Sequence, residues 1–592
     1  MARNKYDIDE TLESPFNLQH LKRSFVYIRR HGREMILALV LSIISALCAL
    51  VAPLFTEHVL DVTVPNKDTK ELALISLVLV VLLVAQVLLA TWRGRIMTRV
   101  GQSIVHDIRY DLFEHLQQLS FQYYDSRPHG KILVRVVHYV NNVSDMLSNG
   151  IINFILEIVN LIFITIFMFT VNVRLSLVVL AGLPLLAVIM CILGPKQRRA
   201  WQAFSNKNSN LTAYLNESIS GMRVTQIFTR EEENEKIFTK LSVDCNKTFM
   251  RAAMVSNLVW FSVDNISQII SAVIYLTGAL WMGAAGMVSF GTLVVMGNYS
   301  WRFWQPILNL SNLYNNLINT IAYLERIFET IDEPVSIQNA PDAYELPPIE
   351  GAVTFDDVVF EYEPDTPVLE HVSFTVAPGE SVALVGPTGA GKTTVVNLIS
   401  RFYDLKSGRV LIDGHDISKV TLRSLRSQMG IMLQDSFVFS GTIESNIKYG
   451  KLDATHDEVE RAARMVRADE FINTMEKGYQ TEMGERGSRL SQGEKQLLSF
   501  ARTLISDPRI LILDEATSSI DTKTERLVQD ALQKMLRGRT SFIIAHRLST
   551  IKSCDRIMYV ADKRIVECGT HDELMRKRGE YYKLYTAQIA EA

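Results

Sequence analysis

The sequence predicts a multidomain membrane protein: a six-helix all-α transmembrane domain with long intracellular helices, followed by an α/β domain built round a phosphate loop. Three observations carry this. Residues 35–310 hold repeated apolar runs of membrane length. Composition shifts between Glu329 and Ala352, where Asp332-Glu333-Pro334, Pro341 and Pro347-Pro348 mark a linker. Beyond it, Gly386-Pro387-Thr388-Gly389-Ala390-Gly391-Lys392-Thr393-Thr394 fits the pattern G-x-x-x-x-G-K-[ST].

Composition sets outer limits. A chain of 592 residues is too long for one core. A net charge of −3 does not call for nucleic acid, and none is expected as a partner. Hydrophobic residues make up 48%, very unevenly spread. Cys48, Cys191, Cys245, Cys554 and Cys568 form no C-x-x-C pair and read as free thiols. The N-terminus opens polar and shows no cleavable signal.

Residues 1–33 read as a cytoplasmic segment and 34–330 as the membrane domain. Apolar runs occupy roughly 35–60, 72–92, 151–171, 175–194, 257–282 and 286–310. Between Ala73 and Ala90 the polar residues are Ser76 and Gln86, which argues against a buried helix of a soluble core. The last two runs are more polar. Arg29, Arg30 and Arg33 precede span one, Arg93, Arg95 and Arg99 follow span two, and Lys196, Arg198 and Arg199 follow span four. Basic residues favour the cytoplasm, so these ends are inside. Segment 57–71, Asn172–Arg174 and the turn at 282–286 are then outside, with both chain ends cytoplasmic.

The helices outrun the membrane. Ile96, Val100, Ile104, Ile108, Leu112 and Leu116 recur every four residues after span two. A helix over about 72–119 is roughly 70 Å long at ~1.5 Å per residue, over twice the ~30 Å hydrocarbon layer. It breaks at 121–130, and a second long helix climbs back. The same pattern spans about 196–255, with a break near 218–221. Two hairpins with short tips result, placed to touch a soluble domain. Asp264, Gln268, Arg302, Gln305 and Asn309 lie at membrane depth, where charge must face a cavity or a partner. Asp264 with Arg302 is the expected pair, and substrate contact is the alternative. Pro53, Pro184 and Pro306 are expected to kink their spans.

Past the 331–350 linker, residues 351–588 read as the α/β domain. Val353–Phe355, Val358–Tyr362 and Phe374–Val376 read as strands, followed by strand-loop-helix order. Val382–Val385 is a buried strand before the phosphate loop, and Thr394–Ile399 opens a helix after it. Glycines let backbone N–H groups point at phosphate oxygens, and the helix N-terminus adds partial positive charge. Lys392 is the expected ligand of the β- and γ-phosphates, and Thr393 of Mg²⁺. Downstream, the apolar strand Ile510–Leu513 ends in Asp514 and Glu515. Asp514 suits the Mg²⁺ side, and Glu515 suits polarising an attacking water. ATP and Mg²⁺ are the expected cofactors.

Between these motifs stands Leu490-Ser491-Gln492-Gly493-Glu494. With it, about residues 20–588 resemble an ABC transporter half-transporter of the exporter type. The resemblance implies further roles. Tyr362 matches the aromatic that stacks on adenine. Gln434 in Met432-Leu433-Gln434-Asp435 matches the glutamine that senses Mg²⁺ and the lytic water. Gly484-Glu485-Arg486-Gly487 matches the segment that meets the intracellular loops. Ser519-Ile520-Asp521 matches the loop that crosses to the partner domain. His546 matches the histidine that holds the γ-phosphate. The family signature is usually L-S-G-G-Q. Here Gln492 replaces the first glycine and Glu494 the glutamine, while Ser491 and Gly493, which would face the γ-phosphate, remain. In this family each ATP is clamped between one chain's phosphate loop and the other chain's signature. A dimer is therefore expected. A complete ATP face beside an altered signature resembles one subunit of a heterodimeric exporter, and a homodimer stays open.

The resemblance implies ATP-driven export of a hydrophobic or amphipathic substrate by alternating access, from a multi-pass plasma or inner membrane protein. Import by the same architecture and an ATP-gated membrane regulator are the alternatives. No fused peptidase or binding-protein domain is read in the chain, which modestly favours a plain exporter.

Overall fold

The computed structural model describes residues 18–127, 129–285, 288–432, 436–484, 487–514, 522–545 and 548–591. Contacts divide the chain into two units: Met1–Gln117 with His129–Glu333, and Gln118–Pro128 with Pro334–Ala592.

The first unit is helical. It opens with α1 (Leu18–Arg30) and α2 (Gly32–His58), which runs into a π-turn at Val59–Thr63. α3 (Thr69–Gln118) covers 50 residues without a break, which is about 75 Å. Its inner half buries Val100, Ile104, Ile108 and Leu112, the stripe expected from the four-residue recurrence. A five-residue helix, α4 (Phe121–Asp125), forms the first tip. The return runs through α5 (His129–Val134), α6 (Val140–Asp145) and α7 (Ile151–Val171), joined by π-turns at Arg135–Tyr139 and Met146–Gly150. Each π-turn adds one residue per turn and shifts the helix face. There the return packs against α3, and the Ser144 hydroxyl donates to the Gly101 carbonyl at 2.6 Å.

Asn172 turns the chain at the outer side. Its side chain caps α8 (Val173–Leu180), accepting from the N–H groups of Arg174 and Leu175 at 3.1 Å each. α9 (Gly182–Ser220), α10 (Met222–Ile227) and α11 (Glu231–Ala285) form the second hairpin. Ser289 caps α12 (Phe290–Ile331), accepting from Thr292 N–H at 2.9 Å. α11 runs to Ala285 and α12 starts at Phe290, so 282–285 of the expected 282–286 turn are helical; residues 286 and 287 lie outside the described residues.

Among the described residues, five helices are long and apolar enough to cross a membrane. The sixth predicted span is α12, long enough at 42 residues but too polar to qualify by composition. Its apolar face, Met296, Tyr299, Phe303 and Trp304, is buried against α2, α7 and α11 in the core of the unit. The proline expectations divide. Pro53 and Pro306 lie inside helices. Pro184 instead sits in the first turn of α9, where a missing N–H is tolerated; the break there is at Ala181. Pro195, not anticipated, is the proline inside α9.

The second unit holds the α/β domain. One antiparallel sheet has the order β2-β1-β4-β5, from β1 (Val353–Glu363), β2 (Thr366–Val376), β4 (Ser407–Ile412) and β5 (His415–Asp416). The central sheet has the order β12-β11-β3-β10-β9-β6. Its members are β3 (Ser381–Val385), β6 (Met429–Met432), β9 (Ile510–Asp514), β10 (Thr540–Ile544), β11 (Arg556–Ala561) and β12 (Arg564–Gly569). All its pairings are parallel except the β11–β12 edge. β7 (Gly441–Thr442) and β8 (Glu482–Met483) form a small ribbon.

The central strands are apolar throughout because both faces are covered. Val382 and Leu384 face the antiparallel sheet with Phe355 and Ile512, while Ala383 and Val385 face a helical layer with Leu497 and Phe500. Residues 334–350 pack within this unit: Leu346 and Ile349 are buried, and their N–H groups donate to Ser424 and Gln428 side chains at 2.9 Å.

Candidate functional site

The phosphate loop joins β3 to α13 (Lys392–Ile399), as the strand-loop-helix reading requires. Gly386, Gly389 and Gly391 have φ values of 144°, 81° and 100°, which L side chains rarely adopt. A Cβ on Gly386 would also run into the Val560 carbonyl. The loop thus curls as the motif demands, with Pro387, Thr388 and Ala390 filling the intervening positions. Lys392 folds back over it, its Nζ donating to the carbonyls of Gly386 and Pro387 at 2.9 and 2.8 Å. Burial pushes its ammonium below the ordinary value, and Asp514 pulls the other way. Thr393 is exposed at the helix start, and Thr394 is buried.

Strand register brings the carboxylate to this loop. Leu384 of β3 pairs with Ile544 of β10, and Ile544 pairs with Asp514 of β9. The C-terminal ends of the three strands therefore line up. That is where ligands bind in parallel sheets, because helix N-termini converge there. Glu515, His546 and Gln434 lie outside the described residues, as do Glu485, Arg486 and Ser519–Asp521.

Tyr362 stands at the end of β1, 37% exposed. Its hydroxyl is 3.1 Å from Thr394 Oγ1, and its ring meets Tyr403 edge-on at 5.0 Å. Tyr403 in turn donates to Asp125 of α4 at 2.7 Å. Tyr403 and Asp125 escaped the sequence reading. They are 278 residues apart and match no motif, so nothing local could have paired them.

Ser491 caps the helix Gln492–Leu504. Its hydroxyl accepts from Glu494 N–H at 3.3 Å, and the Glu494 carboxylate accepts from Ser491 N–H at 2.7 Å. This is a reciprocal capping box. The Ser-x-x-Glu spacing is a local capping signal that coincides with the departure from the L-S-G-G-Q signature. Gly493 is buried in the first turn.

In the first unit, α2, α3, α7 and α12 line an open cavity of about 360 Å³. Arg93, Arg302, Glu157, Gln86, Asn160 and Gln305 give it a polar lining. The expected Asp264–Arg302 pair is not formed. Arg302 donates to the Ala49 carbonyl at 2.9 Å, and Asp264 accepts from Gln268 at 3.2 Å, one helical turn away. Opposite charge suggested the pair, but a backbone carbonyl on α2 lies within reach of the guanidinium. Asn309 donates to Glu157 at 2.7 Å, a membrane-depth carboxylate the sequence reading passed over inside an apolar run.

Residues 35–306 match the family described as ABC transporter transmembrane region, and residues 369–518 the family described as ABC transporter. The chain is 40% identical over 598 residues to YknV, an uncharacterized ABC transporter ATP-binding protein of Bacillus subtilis, covering 100% of this chain and 98% of that one. It is 34% identical over 597 residues to an ATP-dependent lipid A-core flippase of Syntrophus aciditrophicus, covering 100% and 98%. The structure of a bacterial Atm1-family ABC exporter with ATP bound aligns with a TM-score of 0.77 at 29% identity, over 95% of this chain and 98% of that one.

Proposed function

This chain belongs to the ABC transporters, as a half-transporter of the exporter type, and from that premise we propose that it exports an amphipathic substrate using ATP clamped between its phosphate loop and the signature of a second half-transporter. It is a multi-pass membrane protein with a cytoplasmic ATP-binding domain, an ATPase coupled to export; exporters of this type act as dimers in the bilayer. One relative is named for flipping lipid A-core, which supports an amphipathic cargo. The polar cavity among apolar spans supports the same reading.

The roles proposed rest on the geometry of the phosphate loop and, for Gln434, Glu515 and His546, on the family motifs they match. Lys392 takes the β- and γ-phosphates in place of the loop carbonyls it now holds. Tyr362 stacks on adenine, and backbone N–H groups of the loop hold phosphate oxygens. Thr393 and Asp514 supply oxygen donors, the set a hard divalent cation takes, and Gln434 completes it. Mg²⁺ bound there would neutralise charge on the phosphates. Glu515 polarises the attacking water, and His546 holds the γ-phosphate. The observation that carries the reading is the register of β3, β10 and β9, which sets Asp514 beside the Lys392 loop. Glu515→Gln tests it: nucleotide retention should persist while turnover falls by about a hundredfold or more. Wild-type turnover in that variant removes Glu515 from the chemistry.

The dimer is read as a heterodimer. Helix N-termini bind anions, and here Glu494 already places a carboxylate at the start of the signature helix. Ser491 and Gly493 therefore face a partner's γ-phosphate across a like charge. The competent site pairs this chain's ATP face with an intact partner signature. On the purified chain alone, Glu494→Gln should raise ATP turnover by about tenfold. An unchanged rate makes Glu494 a harmless variant and favours the homodimer.

A further inference from the structure

The membrane cavity carries unanswered positive charge. Arg93 Nε is buried and without a hydrogen-bond partner. Arg302 is held by a single backbone carbonyl. Neither guanidinium forms an ion pair among the described residues. The carboxylate in the same lining, Glu157, is already met by the Asn309 amide. The cavity thus holds two guanidiniums against one carboxylate. Charge at membrane depth is costly and calls for a counter-charge. Arg93 lies at the inner end of α3's apolar run, at the cytoplasmic leaflet by the basic-residue rule. Arg302 lies deeper, opposite Ala49 of α2.

Apart from Ser42 and Ser45, the rest of the lining is apolar. Ala46, Leu50, Leu156 and Ile164 continue the wall beside the polar groups. A volume of about 360 Å³ suits a head group with the first part of a chain, not a whole lipid. Charged and apolar lining in one cavity matches a molecule with the same division.

We infer that this cavity receives the anionic head group of the exported amphiphile, a phosphate or carboxylate joined to an acyl chain, with Arg302 and Arg93 as its ligands. The inference rests on the export reading and adds the substrate class. Guanidinium forks match the planar oxygens of such groups and hold them by charge-assisted hydrogen bonds. Glu157, a like charge at the same wall, opposes the anion and lets it leave again.

The test uses the full chain in neutral-lipid nanodiscs and three fluorescent single-chain probes: a lysophosphatidate, a monoacylglycerol and an alkyl trimethylammonium. The lysophosphatidate should bind at least about tenfold more tightly than the other two. Arg302→Gln and Arg93→Gln should each erase most of that preference. Arg302→Lys, which keeps the charge, should restore part of it if the glutamine variant is poorly folded. Glu157→Gln should tighten lysophosphatidate binding several-fold, an effect that mere loss of packing would not produce. Equal affinity for all three probes overturns the inference, as does tighter binding of the cation. Displacement by inorganic phosphate alone at equal concentration overturns the amphiphile and leaves a free-anion site. ATP turnover is measured on the same samples. Protein that hydrolyses ATP but shows no head-group preference sinks this inference and leaves export standing. Protein that prefers the anion but hydrolyses no ATP fails in the opposite way.

Discussion

The two intracellular hairpins have tips of similar length and opposite circumstances. The first, α4, belongs to the second unit. Its Phe121 ring lies 4.3 Å from Phe402, which Arg426 covers at 4.9 Å, and its Asp125 accepts from Tyr403. The second tip, around α10, shows Ile219 at 68%, Ile227 at 76% and Phe228 at 69% exposed. One tip has found its apolar and polar partners within the chain. The other presents an apolar cluster that is stable in water only when another surface covers it. A single chain therefore completes half of its own couplings, which fits a family that acts as dimers.

The sharpest way to break that contrast is at the second tip. Ile227→Asp with Phe228→Asp should cut the ATP turnover of the assembled transporter by about tenfold or more while leaving thermal unfolding of the chain within error, because the side chains are already exposed. A large fall in melting temperature would mean that this tip, like the first, is held inside the chain.

A smaller effect is expected at the first tip. Tyr403→Phe removes only the hydroxyl that meets Asp125 and should cost about 1.5–3 kcal/mol, the range for a hydrogen bond to a charged group. The ring still packs on Tyr362, so nucleotide affinity should change less than stability does. Burial first, and then the bond to Asp125, lifts the Tyr403 pKa above the ordinary 10.0. Since the folded value is the higher one, this contribution is complete below pH 10 and disappears as pH rises through the folded value. Chemical unfolding from pH 9 to 12 should show the wild type beginning, above pH 10, to lose the advantage it holds over Tyr403→Phe. Parallel curves would remove Tyr403 from the linkage.

The least effect belongs to the base of the second tip. Tyr214 donates to the Asn234 carbonyl at 3.0 Å, and the Asn234 amide donates to Thr225 at 3.0 Å. Tyr214→Phe should cost about 0.5–1.5 kcal/mol and leave turnover nearly intact. A loss of turnover as large as that of the Ile227 and Phe228 change would show that the hairpin base, not its apolar cluster, carries the coupling.

The contrast also shows what was legible beforehand. Both breaks were readable, because a helix stripe that stops at Phe121-Gln-Tyr-Tyr-Asp or at Ser218-Ile-Ser-Gly221 is a local signal. Which tip would be covered was not readable, since Phe402 and Tyr403 lie far along the chain. Ser491 and Glu494 were legible in principle, three residues apart, yet the capping box emerged only with the geometry. Arg302 was recognised as costly and given the wrong partner, because sign of charge is visible in a sequence and distance is not.

The sequence alone determined whatever depends on neighbours along the chain. That includes the curl of the Gly386–Thr394 loop, the apolar length of the spans, the strand ending in Asp514 and the long helix through Leu116. Backbone conformation and periodic burial are local properties, and residue type sets them. Tertiary structure decided what depends on closure over hundreds of residues: the register that brings Asp514 to Lys392, the bond from Tyr403 to Asp125, and the joining of Arg93, Arg302 and Glu157 in one cavity. Those placements come from side chains packing at a few ångströms, where a shift of one residue along a strand or helix turns a group to the opposite face.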